Sequence, residues 1–185
     1  NGPAWQRDRL ALNRAVLSPT GARQFLVPLD TVANDFARSL RERIQLSPGG
    51  ALTIDPHPLL FRFTLEASSY ALYGERLGLL GESPSGGPSA GVGAQRFLGA
   101  LETMLRTTLP LLFMPPSILR HLHPPLWRDH LHAWDLIFQH ADDSIQRICR
   151  ELAGGAPGVS PGAGSGGLLG ELLLQGQLPL DSIKA

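Results

Sequence analysis

The sequence predicts an all-α fold, and three observations carry that prediction. Apolar residues recur three and four apart over long windows, the period of a helix that buries one face. Those windows are bounded by Ser, Asp and Pro at their starts and by Gly or Pro at their ends, the signals that open and close helices. The only stretch with an extended character is Ala51-Leu-Thr-Ile, so the expected architecture is about seven helices with negligible β.

The first helix opens at Pro3, where a missing N–H costs nothing, and ends at Ser18-Pro19. Leu10, Leu12, Val16 and Leu17 supply an apolar side expected to pack inward. Trp5 and Arg9 lie one turn apart and share a face. An indole N–H and a guanidinium only donate, and a guanidinium stays charged, so the pair suits an anion such as a carboxylate or phosphate. The alternative is an ordinary surface stack of Arg9 over Trp5.

Thr20 is expected to cap a second helix running to about Leu46, with Phe25, Leu26, Leu29, Val32, Ala33, Phe36, Leu40 and Ile44 as its apolar stripe. Pro28 can delay its regular part. After the Ser47-Pro-Gly-Gly turn, Asp55 opens a helix over His57 to Tyr73 that is apolar or small on most sides. Glu66 is the exception inside it. A carboxylate in a core costs several kcal/mol without a partner, so an arginine is expected beside it.

Gly74 closes that helix, and 82–93 is read as a flexible Gly/Pro/Ser-rich insertion. Gly87-Pro-Ser-Ala-Gly91 within it matches G-x-S-x-G without the strand and helix that would form a nucleophile elbow. Ala94 to Thr108 is helical through Phe97, Leu98, Leu101, Met104 and Leu105, and Pro110 is expected to stop it. Leu109 to Leu119 is apolar and broken by prolines, too short to span a bilayer but suited to lying on one. A loop packed on its own protein reads the same way.

The longest helix is expected from about Pro124 to Leu152. His121, His123, His130 and His132 flank or open it, but His-x-His spacing divides neighbours between faces, so rim positions and no metal site are expected. Trp134 sits mid-helix, where a core role is the default. Cys149 reads as a small buried hydrophobe. A second flexible insertion covers 153–167. Its Gly162-Ala-Gly-Ser-Gly-Gly167 matches G-x-G-x-x-G but lacks a preceding strand, so it is not read as a dinucleotide site. Short helices follow over Leu168 to Leu174 and from Asp181.

Composition narrows function. Equal numbers of Lys+Arg and Asp+Glu, 16 each, exclude the basic excess of a nucleic-acid binder. A single cysteine among 185 residues excludes an internal disulfide framework. No apolar run reaches 18 residues, so no spanning helix is expected. Beginning at Asn1 without Met and stopping at Ile183-Lys-Ala185, the chain reads as an internal piece of a longer protein.

Five blocks then resemble one family in its own order: Asn1 to Pro19 with Trp5 and Arg9, Thr64-Leu-Glu-Ala-Ser, Gly74-Glu-Arg-Leu-Gly-Leu, Leu112-Phe-Met-Pro, and Ala133-Trp-Asp-Leu-Ile-Phe-Gln. They resemble the mitochondrial cytochromes P-450, in the steroid 11β-hydroxylase and aldosterone synthase branch. The resemblance implies part of a single P-450 domain over 1–185, from the C helix to the start of the I helix, and a haem cofactor with a propionate held by Trp5 and Arg9. It places Trp134, Met104 and Leu105 at the steroid pocket, although relatives tend to have Phe where Leu105 stands. It also implies 11β-hydroxylation of corticosteroid precursors, electrons from an adrenodoxin-type ferredoxin, membrane contact through Leu109 to Leu119, and the matrix face of the mitochondrial inner membrane. The iron-ligating Cys loop, the oxygen-activating Thr and the Glu-x-x-Arg helix have no counterpart here, so no catalytic residue is expected in this segment and the segment alone should be inactive. The alternatives are another mitochondrial sterol hydroxylase, or a non-enzymatic helical domain binding a membrane or partner through the same apolar loop.

Overall fold

The computed structural model describes residues 2–81, 88–115, 117–119, 124–153 and 166–175. Among them are seven helices and no strand: α1 (Pro3–Leu17), α2 (Pro19–Arg23), α3 (Leu26–Leu46), α4 (Pro56–Tyr73), α5 (Pro88–Leu112), α6 (Pro125–Ala153) and α7 (Gly167–Gln175). Residues 51–54, expected as the one extended stretch, form no strand, and the Ala51 carbonyl accepts from Ser47 Oγ at 2.6 Å. The expected helix from Asp181 lies outside the described residues.

Local chemistry explains most boundaries. Pro3 occupies the first turn of α1, and Ser18, extended at ψ 146° as a residue before proline must be, ends it. The same Ser18 caps α2, its Oγ accepting from Gly21 N at 2.9 Å, so the cap is Ser18 rather than Thr20. The expected continuous helix from Thr20 to Leu46 is divided at Gln24 and Phe25. Pro28 has no N–H for the Gln24 carbonyl and its ring crowds that carbonyl, so the chain breaks there and restarts with Pro28 in the first turn of α3. Asp55 caps α4 through His57 N at 3.0 Å, and Gly74, at φ 67°, closes it in the left-handed conformation.

Of the expected insertion at 82–93, residues 88–93 belong to α5. Pro88 suits a first helical position, and the glycines behind it weaken a helix without forbidding one. Pro110 does not stop α5, which continues to Leu112. In the last turn a proline forfeits only its own bond to the Arg106 carbonyl, a modest loss. Ser89 of the G-x-S-x-G match lies in the first turn of α5, not on an elbow. In the second expected insertion Ala153 ends α6 and Gly166 and Gly167 lead into α7, while 154–165 lie outside the described residues.

The chain separates into two compact units, one of Asn1–Ser83 with Ile145–Ala185 and one of Pro84–Ser144. In the first, α3 meets α4 through Phe36 and Phe63, 5.0 Å between ring centroids, with Val32 fully buried. Ile145, Ile148 and Leu169 form its apolar centre, flanked by Tyr73, Cys149, Leu152 and Leu173. Cys149 is therefore a half-buried packing residue, as expected. The end of α4 touches the start of α7 backbone to backbone: a Cβ on Gly167 would lie 2.6 Å from Gly74 N. Only glycines permit that approach, which gives the last glycine of the G-x-G-x-x-G match a packing role.

In the first unit Glu66 is completely buried and accepts three bonds: from Arg76 Nε at 2.7 Å, Leu79 N at 2.9 Å and Gly78 N at 3.2 Å. The expected arginine partner is Arg76, which also bonds Asp35 of α3 at 2.7 Å. Desolvation alone would lower the Arg76 pKa, but its bonds to Glu66 and Asp35 raise it above the ordinary value. Glu66 thus pins the turn after α4 to α4 itself. The apolar side of α1 does not pack inward: Leu10 and Leu17 are 60% and 72% exposed. Among the described residues α1 packs chiefly against α2.

The second unit is built on α5 and residues 125–144 of α6. Phe97 stacks on His140 at 3.9 Å, and Thr107 bonds His130 at 2.7 Å. Ten residues forward along α5 therefore correspond to ten back along α6, so the two helices run antiparallel. Ala94, Leu98, Thr107 and Ala133 are buried in this unit.

Candidate functional site

Two groups of expected site residues fall in different units, and each has its own geometry. In the first unit α1 holds Trp5 and Arg9 on one face by the i, i+4 rule. The Arg9 guanidinium carbon lies 5.2 Å from the Trp5 ring centroid, and Trp5 is 50% exposed. No described side chain accepts from the Trp5 indole N–H or from Arg9. Stacking uses the ring face and leaves the N–H groups of both residues directed elsewhere. Two donors, one permanently cationic, on an exposed face suit an anion such as a carboxylate or phosphate.

In the second unit Trp134 and Met104 are half-buried and Leu105 is 53% exposed. Trp134 is not a featureless core residue. Its ring stacks on Phe138 at 5.5 Å and meets His130 edge-on at 6.2 Å, and its Nε1 donates to His130 Nε2 at 3.0 Å. His130 Nδ1 lies 2.7 Å from Thr107 Oγ1. Met104 reaches this group through its backbone, its carbonyl accepting from Thr108 Oγ1 at 2.7 Å and lying 3.2 Å from Thr107 Oγ1. Such back-bonds to the preceding turn hold threonine hydroxyls on α5 without an outside partner.

His130 was expected at the rim and instead joins Trp134 to α5. Its four-residue spacing from Trp134 was a readable signal, the same one that paired Trp5 with Arg9. Thr107 carried no such signal, because its partner comes from another helix. His132 is exposed, and His121 and His123 lie outside the described residues. Among the described residues no group of His, Cys, Asp and Glu is placed to hold a metal ion.

The segment Leu109 to Leu119 exposes its large apolar side chains: Leu109 at 65%, Leu112 at 71% and Phe113 at 86%. Leu111 turns inward, at 9%, and Met114 and Leu119 are half-buried. No described helix is long and apolar enough to cross a membrane.

Residues 1–157 match the family model described as Cytochrome P450. Over all 185 residues the chain is 49% identical to "Cytochrome P450 11B, mitochondrial" of Aquarana catesbeiana. It is 43% identical to "Cytochrome P450 11B1, mitochondrial" of Ovis aries and 42% identical to "Cytochrome P450 11B2, mitochondrial" of Mus musculus. The match covers this chain completely and 34–35% of each relative, so the chain spans about a third of the length of the curated relatives it matches. A chain that is helical and strandless among its described residues, matches the family model over 157 of its 185 residues and aligns over its own full length with about a third of each relative belongs to the cytochrome P450 family.

Proposed function

We propose that the complete protein is a haem-thiolate steroid monooxygenase that hydroxylates corticosteroid precursors at the 11β position, and that both units belong to one P-450 domain. The observation that carries the reading is the pairing of Trp5 with Arg9 on an exposed face, two donors with no described acceptor. In this reading they hold a haem propionate, Arg9 supplying the charge and Trp5 a second N–H with a fixed direction. When bound, haem supplies activation of O₂ and insertion of one oxygen atom into the substrate. Cys149, packed against Ile145, Ile148 and Leu169, is not placed to ligate iron, so the thiolate would have to come from outside this segment.

Trp134, Met104 and Leu105 line the steroid pocket. The half-buried indole offers a flat apolar wall that excludes water from one side of the substrate, and Leu105 gives a smaller contact than an aromatic residue would. The exposed Leu109, Leu112 and Phe113 dip into the matrix face of the mitochondrial inner membrane beside the substrate entrance. An adrenodoxin-type ferredoxin delivers the electrons. The names of these relatives, each printed as mitochondrial, support the compartment.

The reading is tested in the complete protein by the haem content of Arg9→Ala against Arg7→Ala. Both arginines are exposed on α1, but only Arg9 shares the face of Trp5. Arg9→Ala should lose much more haem on gel filtration. Equal haem in the two variants returns the pair to an ordinary stack. Reconstituted with the ferredoxin, the unaltered protein should form the 11β-hydroxysteroid, and failure to do so removes the substrate assignment.

A further inference from the structure

Three side chains of the second unit form a line of hydrogen bonds whose direction is set by its two ends. Thr107 is 1% exposed, and its Oγ1 lies 2.8 Å from the Thr103 carbonyl and 2.7 Å from His130 Nδ1. His130 Nε2 lies 3.0 Å from Trp134 Nε1. A backbone carbonyl can only accept and an indole N–H can only donate. The Thr107 proton therefore goes to a backbone carbonyl, leaving its oxygen to accept from His130 Nδ1–H. With its proton on Nδ1, neutral His130 is free to accept the indole N–H at Nε2. One tautomer satisfies all three donors, whether the Thr107 hydroxyl donates to the Thr103 carbonyl or to that of Met104 at 3.2 Å, and the other neutral tautomer would leave the indole N–H without an acceptor.

The line also fixes an angle. Packing against Phe138 at 5.5 Å leaves an indole free to rotate in its plane, whereas a bond at its edge does not. His130 is itself held by Thr107 from α5 and flanked by Trp127 at 6.1 Å on α6. We propose that His130 is a positioning residue that, fixed by Thr107, sets the orientation in which Trp134 presents its ring to the steroid. The proposal rests on the reading of Trp134 as a pocket wall.

The test uses the complete holoenzyme and titrates a corticosteroid precursor by the substrate-induced shift of the haem Soret band. The variants are His130→Ala, Thr107→Val, Trp134→Phe, Trp134→Ala and the double variant His130→Ala with Trp134→Phe. The ferrous carbon monoxide band reports that each is folded. Losing one neutral hydrogen bond corresponds to about a fivefold rise in the spectral Kd. His130→Ala and Trp134→Phe should each show about that rise, Thr107→Val a smaller one. The double variant should be no weaker than Trp134→Phe, because without the indole N–H there is nothing for His130 to hold. A further fivefold loss in the double variant, or no loss in His130→Ala while Trp134→Ala weakens binding, overturns the proposal alone. Unchanged binding in Trp134→Ala overturns the pocket reading and the proposal with it. If His130→Ala does not fold, Thr107→Val, which keeps the side-chain volume, makes the same comparison against Trp134→Phe.

Discussion

Removing the Glu66 carboxylate should cost about 3–5 kcal/mol, and the structure indicates where the loss arises. In Glu66→Ala three donors lose their acceptor: Arg76 Nε, Gly78 N and Leu79 N. Arg76 keeps Asp35 at 2.7 Å and a third of its side chain stays in water, so its share is small. Gly78 is exposed, so water can replace the acceptor at its N–H, whereas Leu79 is 5% exposed and its N–H has no such recourse. A stranded donor costs about 1–3 kcal/mol, and the void left by the side chain adds to that. Glu66→Gln preserves length and one acceptor oxygen but turns an NH₂ toward donors, so about 1–3 kcal/mol is expected. The assay is urea unfolding of the complete protein followed by helical circular dichroism, with exposed Glu102→Ala as the reference. A Glu66→Ala loss below about 1 kcal/mol, near that of the reference, would refute the reasoning.

Four further outcomes follow from particular features of the structure. Gly167→Ala should destabilise by about 3 kcal/mol, because its Cβ would meet Gly74 N at 2.6 Å and Ala71 O at 2.7 Å with φ at +56°. Gly99→Ala, in mid-α5 with open space around it, should stabilise by about 0.5–1 kcal/mol in the same urea series, and a loss there would mean the space is not open. Burial raises the Tyr73 phenol above 10.0, so the fold favours its protonated form. That contribution is complete below about pH 10 and disappears as pH climbs through the raised value, so stability should fall more steeply above pH 10 in the unaltered protein than in Tyr73→Phe; parallel curves would exclude it. Phe113→Asp with Leu112→Asp should lower partition into phosphatidylcholine vesicles containing anionic lipid by about tenfold or more, and unchanged partition would remove this loop from the membrane contact.

Individual elements show what was legible in the sequence and why. Asp55 and Gly74 marked both ends of α4 because a cap and a left-handed glycine act on their own neighbours. The partner of Glu66 could be expected as an arginine from the cost of a buried charge, but not as Arg76 in particular. The delayed regular helix expected at Pro28 is what α3 shows, with the break falling at Gln24 and Phe25. Whether a proline is absorbed or divides a helix depends on which carbonyl it crowds. Pro110 shows the converse, since in a last turn there is little left to interrupt.

The sequence by itself determined the helical class, the family, the capped ends of α4 and the pairing of Trp5 with Arg9. These rest on spacings of one to four residues and on local hydrogen bonds, or on a run of motifs. Only the tertiary structure decided that Glu66 binds the turn after α4, that Gly167 and Gly74 touch backbone to backbone, and that Thr107 reaches Trp134 through His130. Apart from the four-residue step from His130 to Trp134, those contacts join residues 10 to 93 positions apart, and their distances depend on how the chain packs, which no local pattern records.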